Sequence, residues 1–229
     1  MHGSKQTENF MDKLDITAVI RMALIYVHLL GFAGAAAFVA QGDYALLGRS
    51  RIDMALLRRS ASFVSVALAV LWVSGLAVIW MDTQFDLAVL QTKPKLLAKL
   101  SIVTILTING VALHSLAFPR LENAYRDPQR AVVLPCVLGG ISAATWMYAA
   151  FVGVGKAVAP TLGYVGFMAL YAVAVAMGVG MAMLVIRKRL AAQAELEARS
   201  RGEIVPMTRY KAEVLNLVDV PHYNHARSA

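Results

Sequence analysis

A chain of 229 residues that is 59% hydrophobic and only 16% charged lies outside the composition of a water-soluble domain, where charged residues make up roughly a quarter. Its formal net charge of +8 does not imply nucleic acid as a partner, because the basic residues stand in short clusters beside apolar runs. The single cysteine, Cys136, excludes an intrachain disulfide and any multi-cysteine metal centre.

Residues 1–17 are polar with mixed charge, unlike the basic leader of a secreted protein. Five long apolar runs follow, starting near Ala18, Ala61, Leu96, Ala131 and Thr161. A helix needs roughly 20 apolar residues to cross a hydrocarbon core about 30 Å thick, and only helices or closed barrels satisfy their backbones there. The runs are too long for barrel strands. The expected fold is therefore all-α, a polytopic membrane bundle of five transmembrane helices over residues 18–40, 61–81, 97–118, 131–152 and 161–186.

The first run stops at Gln41-Gly42-Asp43, and the segment 43–60 alternates arginines with Leu and Ile, as an amphipathic stretch on a membrane surface does. The second stops at Asp82. Lys93, Lys95 and Lys99 anchor the third, which Pro119-Arg120 is expected to end. Asp127-Pro128 is a helix-start signal for the fourth, which tolerates Pro135 in its first turns. The fifth runs into Arg187-Lys188-Arg189, and the Ala-, Glu- and Arg-rich stretch beyond continues it as a cytoplasmic extension. Residues 190–229 thus form an extension and tail, where His222 and His225 read as surface residues. Arg49, Arg51, Arg58, Arg59, Arg120, Arg126 and Arg130 accumulate on the side of the last exit. Lys5, Lys13, Arg21, Lys93, Lys95, Lys99 and Lys156 lie on the other. This bias predicts the N-terminus outside, the C-terminus in the cytoplasm and, in a bacterium, the cell inner membrane.

Ionisable groups inside such spans cost about 2.5–3.5 kcal/mol and so point to function. His28 shares a face with the small residues Gly31 and Ala35, a surface that admits close approach of a helix or a flat ligand. His114 ends a stripe of Ser101, Thr104 and Thr107 in the third run. From the helical rise, His28 lies about 12 Å and His114 about 25 Å from the outer face, too far apart to ligate one metal together. Two layers result. An outer one of His28, Trp72, Thr104 and Met147 or Tyr148 suits a tetrapyrrole or quinone headgroup, with Thr104 as the group fixing the His28 tautomer. An inner one of His114, Ser65, Cys136 and Met177 suits a soft ion such as Cu(I). Asn109 faces away from the stripe, toward a neighbouring helix. Ala174, Gly178 and Ala182 form a small-residue face for packing inside the bundle or in a homodimer.

The stretch His28-Leu29-Leu30-Gly31-Phe32-Ala33-Gly34, together with a lysine-led third run from Lys99 to His114, resembles the HemJ-type protoporphyrinogen oxidases and the membrane domain of CopD-like copper-resistance proteins. The likeness covers the first half of the chain. It implies a bundle that binds haem b or handles porphyrin or copper in electron transfer or porphyrin oxidation, with His28, Lys99 and His114 as cofactor or metal positions. Trp72, Thr104 and Tyr148 are the pocket residues suggested beside them. Two other classes stay open: an accessory subunit of a larger membrane complex, and a small transporter, which the lack of carboxylates within the spans weakens. No P-loop, GxSxG or HExxH pattern offers hydrolytic or phosphoryl-transfer chemistry.

Overall fold

A computed structural model of the chain describes residues 15–48, 51–124, 127–155 and 158–200. Among these, every regular element is helical. Five helices are long and apolar enough to cross a membrane: α1 Ile16–Leu47, α2 Met54–Thr83, α3 Pro94–Glu122, α4 Pro128–Val154 and α5 Ala159–Ser200. A one-turn helix, Leu87–Gln91, sits between α2 and α3.

Aspartates set most of the helix starts. The carboxylates of Asp15, Asp53, Asp86 and Asp127 accept from the backbone N–H groups of Ala18, Leu56, Ala88 and Arg130, so each satisfies an orphan donor of a first turn. Pro94 and Pro128 stand in first turns, where a missing N–H costs nothing. Chain reversal after α2 uses Gln84 and Phe85 at positive φ. Gly163, at φ +57°, kinks α5 just after its first turn, in a conformation that a side chain would strain.

Helices α1 and α2 form an antiparallel hairpin. Its register is pinned by three polar pairs: Arg21 with Asp82, His28 with Ser74, and Ser60 with Gln41. Helices α3, α4 and α5 form a trio. Gly140 and Gly178 let α4 and α5 cross in backbone contact; a Cβ on Gly140 would lie 2.9 Å from the Gly178 carbonyl oxygen. The small-residue face of α5 is thus covered by α4 within one chain, and Ala182 is buried.

Three core layers stack along the bundle. At the end where α1 begins, hereafter the amino end, Ala98, Ile102, Tyr148, Val152, Phe167 and Tyr171 pack together, all from the trio. In the middle, Ala35 and Leu71 of the hairpin meet Leu106 and Trp146 of the trio. At the opposite, carboxyl end, Ala45, Leu57, Phe118, Leu121, Val132, Cys136, Ala182 and Leu190 join all five helices. Arg58 donates to Glu122 across the same end at 2.8 Å.

Two boundaries depart from the sequence expectation. The segment 43–60 is not a separate surface helix: α1 continues to Leu47 and α2 starts at Met54, because Ala45 and Leu57 find partners in the carboxyl-end core. Pro119 does not end the third helix, which runs on to Glu122. A π-helical turn over Leu113–Ala117 widens the coil just ahead of the proline, where an α-helical carbonyl would meet its ring. A second π turn, Ala182–Ile186, precedes Arg187. The expected extension of α5 is present to Ser200. The N-terminal segment up to residue 14, including Lys5 and Lys13, lies outside the described residues, as do Arg49, Arg126, Lys156 and the tail with His222 and His225.

Candidate functional site

Helices α2 and α3 approach without close-packing along their middle, which leaves an open groove of about 540 Å³. Its α2 wall is Ser65, Leu68, Ala69 and Trp72, spaced so that all four lie on one helix face. Its α3 wall is Thr107, Gly110, Val111, His114 and Ser115. The size falls within the roughly 300–1,000 Å³ usual for small-molecule sites.

Nearly every polar group on these walls is already engaged. The Trp72 indole N–H donates to Thr107 Oγ1 at 2.9 Å, and the Thr107 hydroxyl donates to the Val103 carbonyl. Ser65 and Ser115 donate to Ala61 and Val111 carbonyls of their own helices. His114 is the exception. Its Nδ1 lies 2.9 Å from the Gly110 carbonyl oxygen, which can only accept, so Nδ1 carries the hydrogen. Nε2 is left with its lone pair, and no described hydrogen bond uses it. The ring is further held against Phe118, at a centroid distance of 5.1 Å, and stands on the π-helical turn. The groove is therefore an apolar slot with one fixed, unoccupied basic nitrogen and an indole wall locked in place. A Cβ on Gly110 would meet nothing within 4 Å, which confirms the open space beside it.

His28 belongs elsewhere. Its Nδ1 is 2.9 Å from Ser74 Oγ, whose own hydrogen goes to the Val70 carbonyl at 2.7 Å. Nδ1 is again the donor, and Nε2 again keeps a lone pair. The imidazole lies over Gly75, 3.4 Å from where a Cβ would stand. Ser74 is nine residues from Ser65, which places the two histidine sites about 13 Å apart along α2 and on opposite faces of it. They do not share a ligand.

The outer layer read from sequence is not one pocket. Trp72 bonds Thr107 rather than facing His28. Thr104 is exposed and donates to its own Leu100 carbonyl, so Ser74, not Thr104, orients His28. Tyr148 is buried in the trio, with its hydroxyl donating to the Phe167 carbonyl at 2.6 Å. Met147 is 75% exposed on the outside of α4. Lys99 is exposed on α3 and within electrostatic range of His28, but not on the groove. Of the inner layer, His114 and Ser65 line the groove together, whereas Cys136 is buried in the carboxyl-end core and Met177 faces outward. Among the described residues no three His, Cys, Asp or Glu side chains gather in a metal-holding group. Asn109 is buried and donates to the Leu138 carbonyl of α4, at 3.1 Å.

The polar stripe of α3 divides because steps of three residues fall about 60° short of a full turn. Ser101 reaches Tyr164 of α5 at 3.1 Å, while Thr107 and His114 face α2. Sequence reasoning missed Ser74, Gly75 and Gly110. The Ser65–Leu68–Ala69–Trp72 spacing was the one signal that could have found the groove's second wall. No protein-family model, curated protein or solved structure matches this chain.

Proposed function

We propose that the protein is a multi-pass membrane protein that binds a flat, apolar cofactor, haem b or a related porphyrin, in the α2–α3 groove. The observation that carries this reading is the His114 imidazole, tautomerically fixed with Nε2 unused on an apolar slot. The donor set favours a porphyrin over a bare ion. A lone copper or zinc ion needs several protein ligands, and the groove offers one nitrogen. A porphyrin brings four nitrogens of its own and asks the protein for an axial ligand and apolar walls. Bound haem would supply one-electron chemistry. The chain's part would be to hold the group: His114 would offer Nε2 to it, with the Gly110 carbonyl fixing the imidazole's tautomer, Trp72 would form a wall, and Gly110 and Ala69 would leave room.

Detergent-purified protein from haem-replete cells is expected to show a Soret band that His114→Ala abolishes and His28→Ala leaves in place. Gly110→Val, whose side chain enters the open groove, is expected to lower haem content while leaving the helical circular-dichroism signal unchanged. A colourless wild-type preparation would sink the reading.

A second reading is an accessory subunit of a larger membrane complex. It draws on α1, whose most apolar window is only 6% buried because that helix leans mainly on α2. The flank with Ile20, Tyr26, Val27 and Leu30 is then a surface for lipid or for another subunit.

A further inference from the structure

The amino end holds a second polar site that the groove does not use. Its core layer is drawn from the trio alone, whereas the middle and carboxyl-end layers include hairpin residues. No hairpin residue joins the buried layer there, so the apolar core does not fill the space between hairpin and trio at this end. Two exposed side chains flank the gap. His28 lies two turns from Ala35 and Lys99 two turns from Leu106, both toward the amino end and on nearly the same helix faces. Ala35 and Leu106 belong to the middle layer that joins hairpin and trio. Both polar side chains are thus directed to the space above that layer, within electrostatic range of each other.

Lys99 differs from its neighbours. Lys93 donates to the Asp82 carbonyl at 3.4 Å and Lys95 to the Gly153 carbonyl at 3.3 Å, each near the end of a helix where cations are favoured. The Asp82 carboxylate is taken by Arg21 at 3.0 and 3.2 Å, and that of Asp86 caps the one-turn helix. Lys99 has no acidic partner among the described residues. An ammonium just inside a membrane span calls for a counter-charge, and His28, within electrostatic range of it, offers an acceptor at Nε2.

We propose that this gap binds the anionic head of an amphiphile from the leaflet at the amino end, with Lys99 meeting the acid group and His28 Nε2 accepting from an adjacent hydroxyl. A phosphodiester carrying a hydroxylated head has that chemistry. The inference rests on the membrane reading and not on the cofactor reading.

The test is native mass spectrometry of the full-length protein in dodecyl maltoside with phosphatidylglycerol, phosphatidylcholine or soluble glycerol 1-phosphate added. Wild type is expected to retain phosphatidylglycerol over phosphatidylcholine. A lysine near an anionic head group contributes about 1 kcal/mol, so Lys99→Gln should cut retention about five-fold. Lys99→Arg, which keeps the charge, should retain it, and His28→Ala should show a smaller loss. Equal retention by Lys99→Gln, or of phosphatidylcholine by wild type, overturns the site. Displacement of the lipid by glycerol 1-phosphate at equal concentration overturns the amphiphile and assigns the anion to a free molecule. A protein that stays dispersed without detergent overturns the membrane reading itself.

Discussion

What takes the Nδ1 hydrogen decides the chemistry of both histidines within the apolar helices. At His114 it is a backbone carbonyl one turn back; at His28 it is a serine hydroxyl whose own hydrogen is already donated. In each case Nε2 is left as the basic atom. The difference lies in what surrounds that atom: an apolar slot with an indole wall at His114, and the Lys99 ammonium within electrostatic range at His28. Ser74→Ala would remove the hydroxyl that accepts from His28 and loosen the ring. Interhelical hydrogen bonds of this kind contribute about 0.6–2 kcal/mol, so the variant should unfold at lower denaturant by that amount in a micellar titration. Its haem content should match wild type. Equal loss of stability and haem would mean that His28 and the groove act as one unit. The histidines themselves were legible in the sequence as costly polar groups in apolar runs. Their partners were not, because Ser74 lies 46 residues from His28 and no periodicity links two helices.

Helix pairs explain how these residues come to be placed. The hairpin's polar pairs keep a constant antiparallel register, so α1 presents His28 opposite Ser74 only if the register holds from Arg21–Asp82 to Gln41–Ser60. In the trio, α4 and α5 are fixed by the Gly140–Gly178 crossing, where neither helix has room for a methyl group. Gly140→Ala should therefore be destabilising by about 1–3 kcal/mol, since a Cβ would meet backbone rather than a movable side chain. Thermal unfolding in detergent checks this, and an unchanged midpoint would show that the helices slide apart at no cost. Gly139, one residue away, has open space at its Cβ and serves as the control. The small-residue repeat on α5 was visible in the sequence, but not its partner. A stripe of Ala and Gly admits a neighbour without naming it, and α4 is that neighbour. The π turn ahead of Pro119 was equally illegible, since proline reads as a stop unless the coil around it widens.

Over the whole molecule, the hairpin and trio share a buried core at the middle and carboxyl end, whereas the buried layer at the amino end belongs to the trio alone. Five helices of spanning length, on the membrane reading, put the two ends of the bundle on opposite sides. The arginine excess near the carboxyl end predicts that a C-terminal reporter fusion is fluorescent in the cytoplasm and an N-terminal periplasmic reporter is active. The reverse pattern would invert the leaflet assigned to the Lys99 gap. The sequence by itself determined five helices of membrane-spanning length, because apolar length and backbone satisfaction are local properties of a run. It also determined which side chains are costly in an apolar setting. Only the tertiary structure decided that Trp72 and His114 face one slot, that His28 lies behind α2, and that Tyr148 and Cys136 are packing residues. Facing is a relation between helices, and it depends on the rotation of each about its axis, which small errors in periodicity accumulate and only packing fixes.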